Sequence, residues 1–388
     1  MKIALFSRSI YPRTGGSAYV IEELVKNFSP SDAIVIGGKD FFFFKKYKRA
    51  ATSVSFYYLN TQLSIKGRGE RFFDPIRWLL LPYSIIKSIY LVKKEKCNYI
   101  LAVFPDAYFL LLAWCVSKIV GLPMSSYFHN TYLENRTGWN RTVATWIQKK
   151  IFQRSDYIFV MSEGMQKYYQ NNYTDSHKFT PLVHTFNVYP EVSTWKFEEQ
   201  KKHWNLAFIG NFNQSNMDAT IRVVDALKED KRFTLNFYTP VPKLLLSMRG
   251  IDTEGLNYIG YIRDEDFYNR LQENDLLVLT HGFEGGYSDF EYKTIFPTRS
   301  IPFLLSKRPI VIHAPSDSFL SQLFIQHQAA EVISEKGKEF IVKGIEKIIQ
   351  SKEHTFALLA NADAMSKLFY GPEVVANLKK LIHSKIRA

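Results

Sequence analysis

The chain has 388 residues, of which 46% are hydrophobic, and its formal net charge is +13. This length suits two domains of ordinary size, and the apolar fraction excludes a disordered chain. Two cysteines, Cys97 and Cys115, make neither a disulfide framework nor a zinc pattern, so we expect reduced packing residues.

Short apolar runs alternate with helical patterns from the first residues onward. Ile3–Ser7 is predicted to be a buried strand, and residues 20–28 show helical spacing. The alternation resumes at Asn205–Gly210 after a polar stretch that contains prolines. Such alternation is typical of parallel sheets covered by helices, so the predicted fold class is α/β with two Rossmann-like domains.

We therefore predict four segments in chain order. They are a first domain over 1–183, a linker over 184–203, a second domain over 204–370, and a C-terminal helix over 371–388. No signal peptide or membrane span is expected, since Arg8 interrupts the first apolar run and no run reaches about 18 residues.

The loop after the first predicted strand contains Gly15 and Gly16. Glycines there let the backbone approach a ligand, and the helix that follows offers N–H groups to an anion. An ordinary tight turn would have the same pattern. His129 ends another predicted strand, where it either lines a binding site or is a structural residue.

Six stretches, in this order and over roughly residues 1 to 320, resemble the retaining glycosyltransferases of family four, which have the GT-B fold. They are "YPRTGGSAYVIEELVKNF", "GLPMSSYFHN", "RSDYIFVMSEGMQKYY", "LAFIGNF", "LNYIGYIRDEDFYNRLQENDLLVL" and "FPTRSIPFLLSKRPIVI". The resemblance implies two facing domains, with the C-terminal helix over 371–388 returning to the first domain. It implies a nucleotide-sugar donor on the second domain and an acceptor on the first. It also implies donor contacts at Gly210 and Asn211, base contacts at Tyr261 and Ile262, and a catalytic role for His129.

Two features of that family are missing. Its glutamate pair would fall at Thr294 and Pro302, and no lysine or arginine follows Gly210 before Arg222. Glu284, Asp289 and Glu291 lie just upstream and could replace the pair, and of these Glu284 and Glu291 are our candidate catalytic residues.

The run Thr298, Arg299 and Ser300 after Pro297 predicts a helix N-terminus with an added guanidinium, which suits a diphosphate. We expect Arg299 to be an exposed residue that folding does not need. A cap with a surface arginine is the alternative.

The acidic run 264–266 resembles a metal-binding motif, but acids at a helix start are usually caps, so we predict no required metal and no cofactor. The basic aromatic segment from Arg68 to Lys94 predicts contact with an anionic membrane, unless it is only a solvated helix face. No nucleic-acid motif is present.

The expected function is thus glycosyl transfer to a glycan or lipid-linked acceptor of bacterial surface polysaccharide or glycoconjugate synthesis, by a cytoplasmic protein bound peripherally to the plasma membrane. Two alternatives stay open, a GT-B-fold nucleotide-sugar epimerase and a non-catalytic binding protein. The missing glutamate pair favours the second of these.

Overall fold

A computed structural model describes residues 1–11, 16–40, 52–62, 77–174, 176–262 and 266–386. The chain forms two compact units. The first contains Met1–Asn187 and Tyr370–Ala388, and the second contains Val188–Phe369. The predicted linker, 184–203, thus spans the point where the chain passes from the first unit to the second.

The first unit holds a parallel sheet of seven strands in the order β3-β2-β1-β4-β5-β6-β7. The strands β1 to β7 are Ile3–Phe6, Ala33–Asp40, Ser55–Gln62, Tyr99–Phe104, Met124–Phe128, Ile158–Val160 and Phe179–Pro181. Helices α1 to α5 are Gly16–Val25, Leu81–Lys94, Ala107–Val120, Gly138–Arg154 and Glu163–Asn172. Every residue of β1, β4 and β5 is buried, as expected for strands that helices cover on both faces.

The second unit holds a parallel sheet of six strands in the order β10-β9-β8-β11-β12-β13. The strands β8 to β13 are Trp204–Ile209, Phe233–Tyr238, Asn257–Tyr258, Leu276–Thr280, Ile310–His313 and Glu331–Ile333. Helices α6 to α13 are Met217–Leu227, Lys243–Met248, Phe267–Gln272, Asp289–Thr294, Ser300–Leu305, Phe319–His327, Lys338–Gln350 and Lys352–Ser366. The predicted α/β class with two parallel sheets is confirmed.

Local chemistry fixes several helix ends. The Asp106 carboxylate accepts a hydrogen bond from the Phe109 amide at the start of α3, and Ser162 caps α5 in the same way. Helix α3 ends at Gly121, whose φ of 75° is left-handed, and Pro123 follows. The capping residues in the sequence therefore coincide with the helix ends in the structure.

The last helix, α14 (Gly371–Ile386), packs on the first unit, as predicted. Val375, Leu378 and Ile382 are buried in the apolar cluster that also contains residues of β1 and α1. Lys379 Nζ lies 2.8 Å from Asp32 Oδ2 in the same unit. Burial of three aliphatic side chains stabilises this return of the chain by about 1.5–3 kcal/mol each.

Candidate functional site

Both sheets have a topological switch point, where the strand order reverses. It lies between β1 and β4 in the first unit and between β8 and β11 in the second. Ligands of open parallel sheets bind outside the carboxyl ends of the strands at such points. The residues of interest in each unit are found at these ends.

Gly210 and Arg299 meet at the switch point of the second unit. Arg299 donates from Nη1 to the Ile209 carbonyl over 2.6 Å and from Nη2 to the Thr280 carbonyl over 3.1 Å, so it joins the last residues of β8 and β11. Gly210 has a φ of 116°, and a Cβ on it would lie 3.1 Å from Arg299 Nη1. Burial lowers the pKa of Arg299 to about 10, which leaves it charged at neutral pH.

The expectation that Arg299 is exposed is wrong. The side chain is partly buried and satisfies two main-chain carbonyls of neighbouring strands. A helix does begin at Ser300, as predicted, but Arg299 caps it without a side-chain bond. The Ser300 hydroxyl is buried and has no hydrogen-bond partner among the described residues, while Thr298 beside it is partly exposed. A diphosphate role for these residues remains a prediction.

A cationic cluster that no sequence pattern indicates lies at the same edge of this sheet. The Arg222 guanidinium carbon lies 4.4 Å from the centre of the Phe283 ring, and Lys336 Nζ lies 5.4 Å from it. Arg222 also donates to Asp218 over 2.8 Å and to His313 Nε2 over 3.2 Å. Two cations from α6 and from the loop after β13 thus share one aromatic ring, although more than a hundred positions separate them in the sequence.

Hydrogen bonds determine which ring nitrogen of His313 carries the proton. Its Nδ1 lies 2.9 Å from the Ile333 carbonyl and therefore donates, which leaves Nε2 as the acceptor from Arg222. Burial lowers the pKa of His313 to about 4, so the ring is neutral. Asp218 Oδ2 receives Arg222 and the Phe283 amide, while Asp218 Oδ1 is buried without a partner among the described residues.

The two predicted carboxylates lie in different surroundings. The Glu284 side chain is 73% exposed, and its Oε1 lies 3.7 Å from Lys336 Nζ, beside the cationic cluster. Glu291 is 5% exposed in α9, whose first turn Ser288 caps. The structure therefore brings Glu284, rather than Glu291, to the cluster.

The other residues predicted to contact the sugar-nucleotide donor also follow the carboxyl ends of strands in this sheet. Asn211 is exposed directly after Gly210. Tyr261 is 67% exposed and, with the partly buried Ile262, follows the edge strand β10. Residues 264 and 265 of the acidic run lie outside the described residues, and Asp266 precedes α8 without a side-chain cap bond.

In the first unit, His129 directly follows β5 and is 3% exposed. Neither of its ring nitrogens has a hydrogen-bond partner among the described residues, and its ring lies 5.4 Å from that of Tyr127. Burial, together with the nearby His184, lowers the pKa of His129 to about 3. A neutral imidazole with two unpaired nitrogens can still donate one hydrogen bond and accept another, which are the groups that a sugar hydroxyl needs.

A buried ionic cluster marks the switch point of this sheet. Arg8 and Arg77 lie 3.1 Å and 2.8 Å from the same oxygen of Asp106, whose other oxygen caps α3. Gly16 is the first residue of α1, and Gly15 lies outside the described residues. Sequence patterns gave no signal for this cluster, because its members come from three separate segments.

Solved structures share the whole fold. A galactosyltransferase of the lipopolysaccharide outer core, WaaB, matches with a TM-score of 0.66 and 14% identity over 99% of this chain and 100% of its own. HepE (Alr3699) from Anabaena in complex with UDP matches with a TM-score of 0.69 and 13% identity over the same shares of the two chains. MnaA from S. aureus with UDP matches with a TM-score of 0.56 and 10% identity over 100% of this chain and 96% of its own.

No family model and no curated protein matches the sequence. At these identities the likeness establishes the fold alone. The chain has the two-sheet architecture of GT-B glycosyltransferases, which are found among its structural neighbours together with epimerases.

Proposed function

We propose that this protein is a glycosyltransferase that uses a nucleoside-diphosphate sugar. The observation that carries the proposal is the cluster of Arg222, Phe283 and Lys336 at the carboxyl edge of the second sheet. Two cations beside a switch point suit a diphosphate. They also supply the positive charge that the sequence lacks between Gly210 and Arg222. HepE, which shares the fold, is described in complex with UDP-glucose.

The donor would bind to the second unit and the acceptor to the first. In the reaction, the bond between the anomeric carbon and the diphosphate oxygen breaks, and a bond to an acceptor oxygen forms. The leaving nucleoside diphosphate gains negative charge as the bond breaks, and the acceptor hydroxyl gives its proton to water. Arg222 and Lys336 would stabilise that charge, with no required metal in this proposal. His129, neutral at pH 7, would hold a sugar hydroxyl.

The finer parts of the proposal concern the outcome and the acceptor. Retention of the anomeric configuration follows from the family resemblance, with Glu284 as the better placed of the two candidate carboxylates. WaaB acts on the lipopolysaccharide outer core, which supports a glycan or lipid-linked acceptor in surface polysaccharide or glycoconjugate synthesis. We further propose a cytoplasmic, peripheral protein on the inner face of the plasma membrane, held in part by the segment from Arg68 to Lys94.

Epimerisation of a sugar nucleotide is a second candidate. A putative UDP-N-acetylglucosamine 2-epimerase from Listeria monocytogenes shares the fold over the whole chain. An epimerase would use buried groups for proton transfer and would act without an acceptor. His129 and His184, both buried, are the residues that favour it.

One experiment separates the candidates. The protein is incubated with a panel of nucleotide sugars, and products are followed by chromatography with and without a lipid extract as acceptor. A transferase releases nucleoside diphosphate slowly alone and faster with the acceptor. An epimerase interconverts two sugar nucleotides without that release. A chain that binds none of the panel would contradict both enzymes and favour the non-catalytic alternative.

A further inference from the structure

Three neighbouring helices cover one face of the first sheet. The connections from β3 to β4, from β4 to β5 and from β5 to β6 all move in the same direction along the sheet. Since such crossovers are right-handed, α2, α3 and α4 lie on the same face. Helix α3 packs against both of the others, so the three form one continuous layer.

The outer surface of this layer carries a group of exposed apolar side chains. On α2 and the turn before it, exposed side chains recur at helical spacing, and α4 repeats the pattern. Trp139 is 78% exposed and Leu79 is 79% exposed. We call this surface the tryptophan–lysine face; its apolar members are Leu79, Tyr83, Ile86, Tyr90, Ile119, Trp139, Val143 and Trp146.

Charge on the same helices has one sign. Together α2, α3 and α4 carry eight lysines and arginines and not one aspartate or glutamate. Ammonium groups lie over the aromatic rings of the face. Lys87 is 5.7 Å from the Tyr83 ring, Lys94 is 5.9 Å from the Tyr90 ring, and Lys118 is 5.1 Å from the Trp114 ring.

Contacts through α3 connect α2 with α4. The half-buried Trp114 lies edge-on to Trp146 of α4, with 6.5 Å between ring centres. Tyr108 of α3 donates a hydrogen bond to Ser84 of α2 over 2.8 Å. The face is therefore held rigidly by packed helices and is not a set of independent side chains.

We propose that the tryptophan–lysine face is the surface through which this protein lies on an anionic lipid bilayer, with Trp139 and Trp146 inserted at the level of the headgroups. Tryptophan and tyrosine favour that level, while lysines attract anionic lipid. Exposed aliphatic side chains such as Ile86 and Ile119 distinguish a bilayer from a nucleic acid or an acidic glycan, which offer them no apolar phase. No described helix is long and apolar enough to cross a membrane.

This inference deepens the proposed function, because a lipid-linked acceptor is presented at a bilayer. It also extends the predicted membrane contact from the segment Arg68–Lys94, of which residues 68–76 lie outside the described residues, to α3 and α4.

The test uses the full-length protein and vesicles of phosphatidylcholine with and without phosphatidylglycerol. Binding is measured by flotation, and insertion by quenching of tryptophan fluorescence with brominated lipid. We expect binding only to the anionic vesicles, with a loss at high salt. The double variant Trp139→Ala/Trp146→Ala should bind the anionic vesicles at least about tenfold more weakly than the wild type and should lose most of the quenching.

A matched control removes exposed apolar side chains from the other unit. Leu244→Ala/Met248→Ala changes two residues of α7 that are 74% and 75% exposed, and it should bind vesicles like the wild type. Thermal melts should be similar for the three proteins, since the changed side chains are at least half exposed and only the edge-on contact of Trp146 with Trp114 is lost. If the tryptophan variant fails to fold, Ile86→Ser and Ile119→Ser test the same surface, and we expect the same loss of vesicle binding.

Several results would overturn the inference. They are absence of binding to anionic vesicles at low salt, equal binding and quenching in the tryptophan variant, or binding to a soluble polyanion as tight as to vesicles without quenching. UDP affinity, measured by calorimetry on the same samples, keeps the two proposals apart. Vesicle binding without binding of UDP or of any other nucleoside diphosphate would reject the transferase proposal alone, and UDP binding without vesicle binding would reject the membrane face alone.

Discussion

Arg299 donates to the main-chain carbonyl of Ile209 over 2.6 Å, at the end of the strand beside which the second sheet reverses its order. The same guanidinium reaches the Thr280 carbonyl of β11. The sequence pattern predicts this arginine for a phosphate site. In the structure it forms hydrogen bonds to the last residues of two adjacent strands. Its structural role can be measured separately from the phosphate contact, which is a prediction.

Replacement of Arg299 should destabilise the second unit. Arg299→Ala leaves two strand-end carbonyls without their charged donor, and we expect a loss of about 2–4 kcal/mol in the free energy of unfolding. Arg299→Lys should recover only part, because an ammonium cannot reach both carbonyls as the planar fork does. Denaturant unfolding measures the loss of stability, and hydrogen exchange of the amides in β8 and β11 shows whether the loss lies at these strands. Unchanged exchange in Arg299→Ala would show that the bonds contribute nothing.

Gly210 should tolerate no side chain. Gly210→Ala places a Cβ at a φ of 116° and 3.1 Å from Arg299 Nη1, so we expect about 1–3 kcal/mol of destabilisation from strain. Gly121→Ala is the matched control, since its φ is 75° and its Cβ would meet nothing within 4 Å. A thermal melt of both variants gives the comparison. Equal effects would mean that backbone strain alone, without the Arg299 contact, sets the size of the loss.

Lys336 should bind phosphate and not the base. The Lys336 side chain is 55% exposed beside Phe283, so Lys336→Ala should leave the melting temperature unchanged. We expect about a tenfold weaker UDP affinity, which corresponds to about 1.4 kcal/mol. Uridine affinity should be unaffected. Calorimetry with UDP and uridine measures both, and Lys338→Ala, two residues further along, is the control. A parallel loss for uridine would place Lys336 outside the phosphate site.

Acid should destabilise the protein through its buried histidines. A histidine in the unfolded chain has a pKa of about 6.5, whereas burial holds the pKa of His129 at about 3 and that of His184 at about 4 in the folded state. Below pH 6.5 the unfolded state therefore binds more protons, and stability falls as pH falls. While the folded ring stays neutral, each histidine contributes about 1.4 kcal/mol per pH unit.

The measurement is denaturant unfolding between pH 7.5 and pH 4.5 for the wild type and for His129→Gln, which keeps polar groups but does not titrate. The variant should show a shallower loss of stability over this window. If the two curves run parallel, His129 is not a buried neutral group, and its place as a polar group for a sugar hydroxyl is wrong as well.

The sequence by itself determined the architecture. Buried strands such as β1 and β4 are continuous apolar runs, and the turns between them carry their own caps and glycines, as Asp106 and Gly121 show. These signals act between residues close in the chain, so strand order along the sequence and the α/β class could be predicted. The return of the last helix to the first unit was predicted from the family resemblance.

Only the tertiary structure decided which side chains meet. Arg222, Phe283 and Lys336 come from three separate elements, and Arg8, Arg77 and Asp106 likewise. Parallel strands bring their carboxyl ends to one edge whatever their distance in the chain, so the residues that follow them become neighbours without any local pattern. The same reason explains Arg299. A short motif suggested a free guanidinium, and the packing of β8 beside β11 gave it two carbonyls to bind.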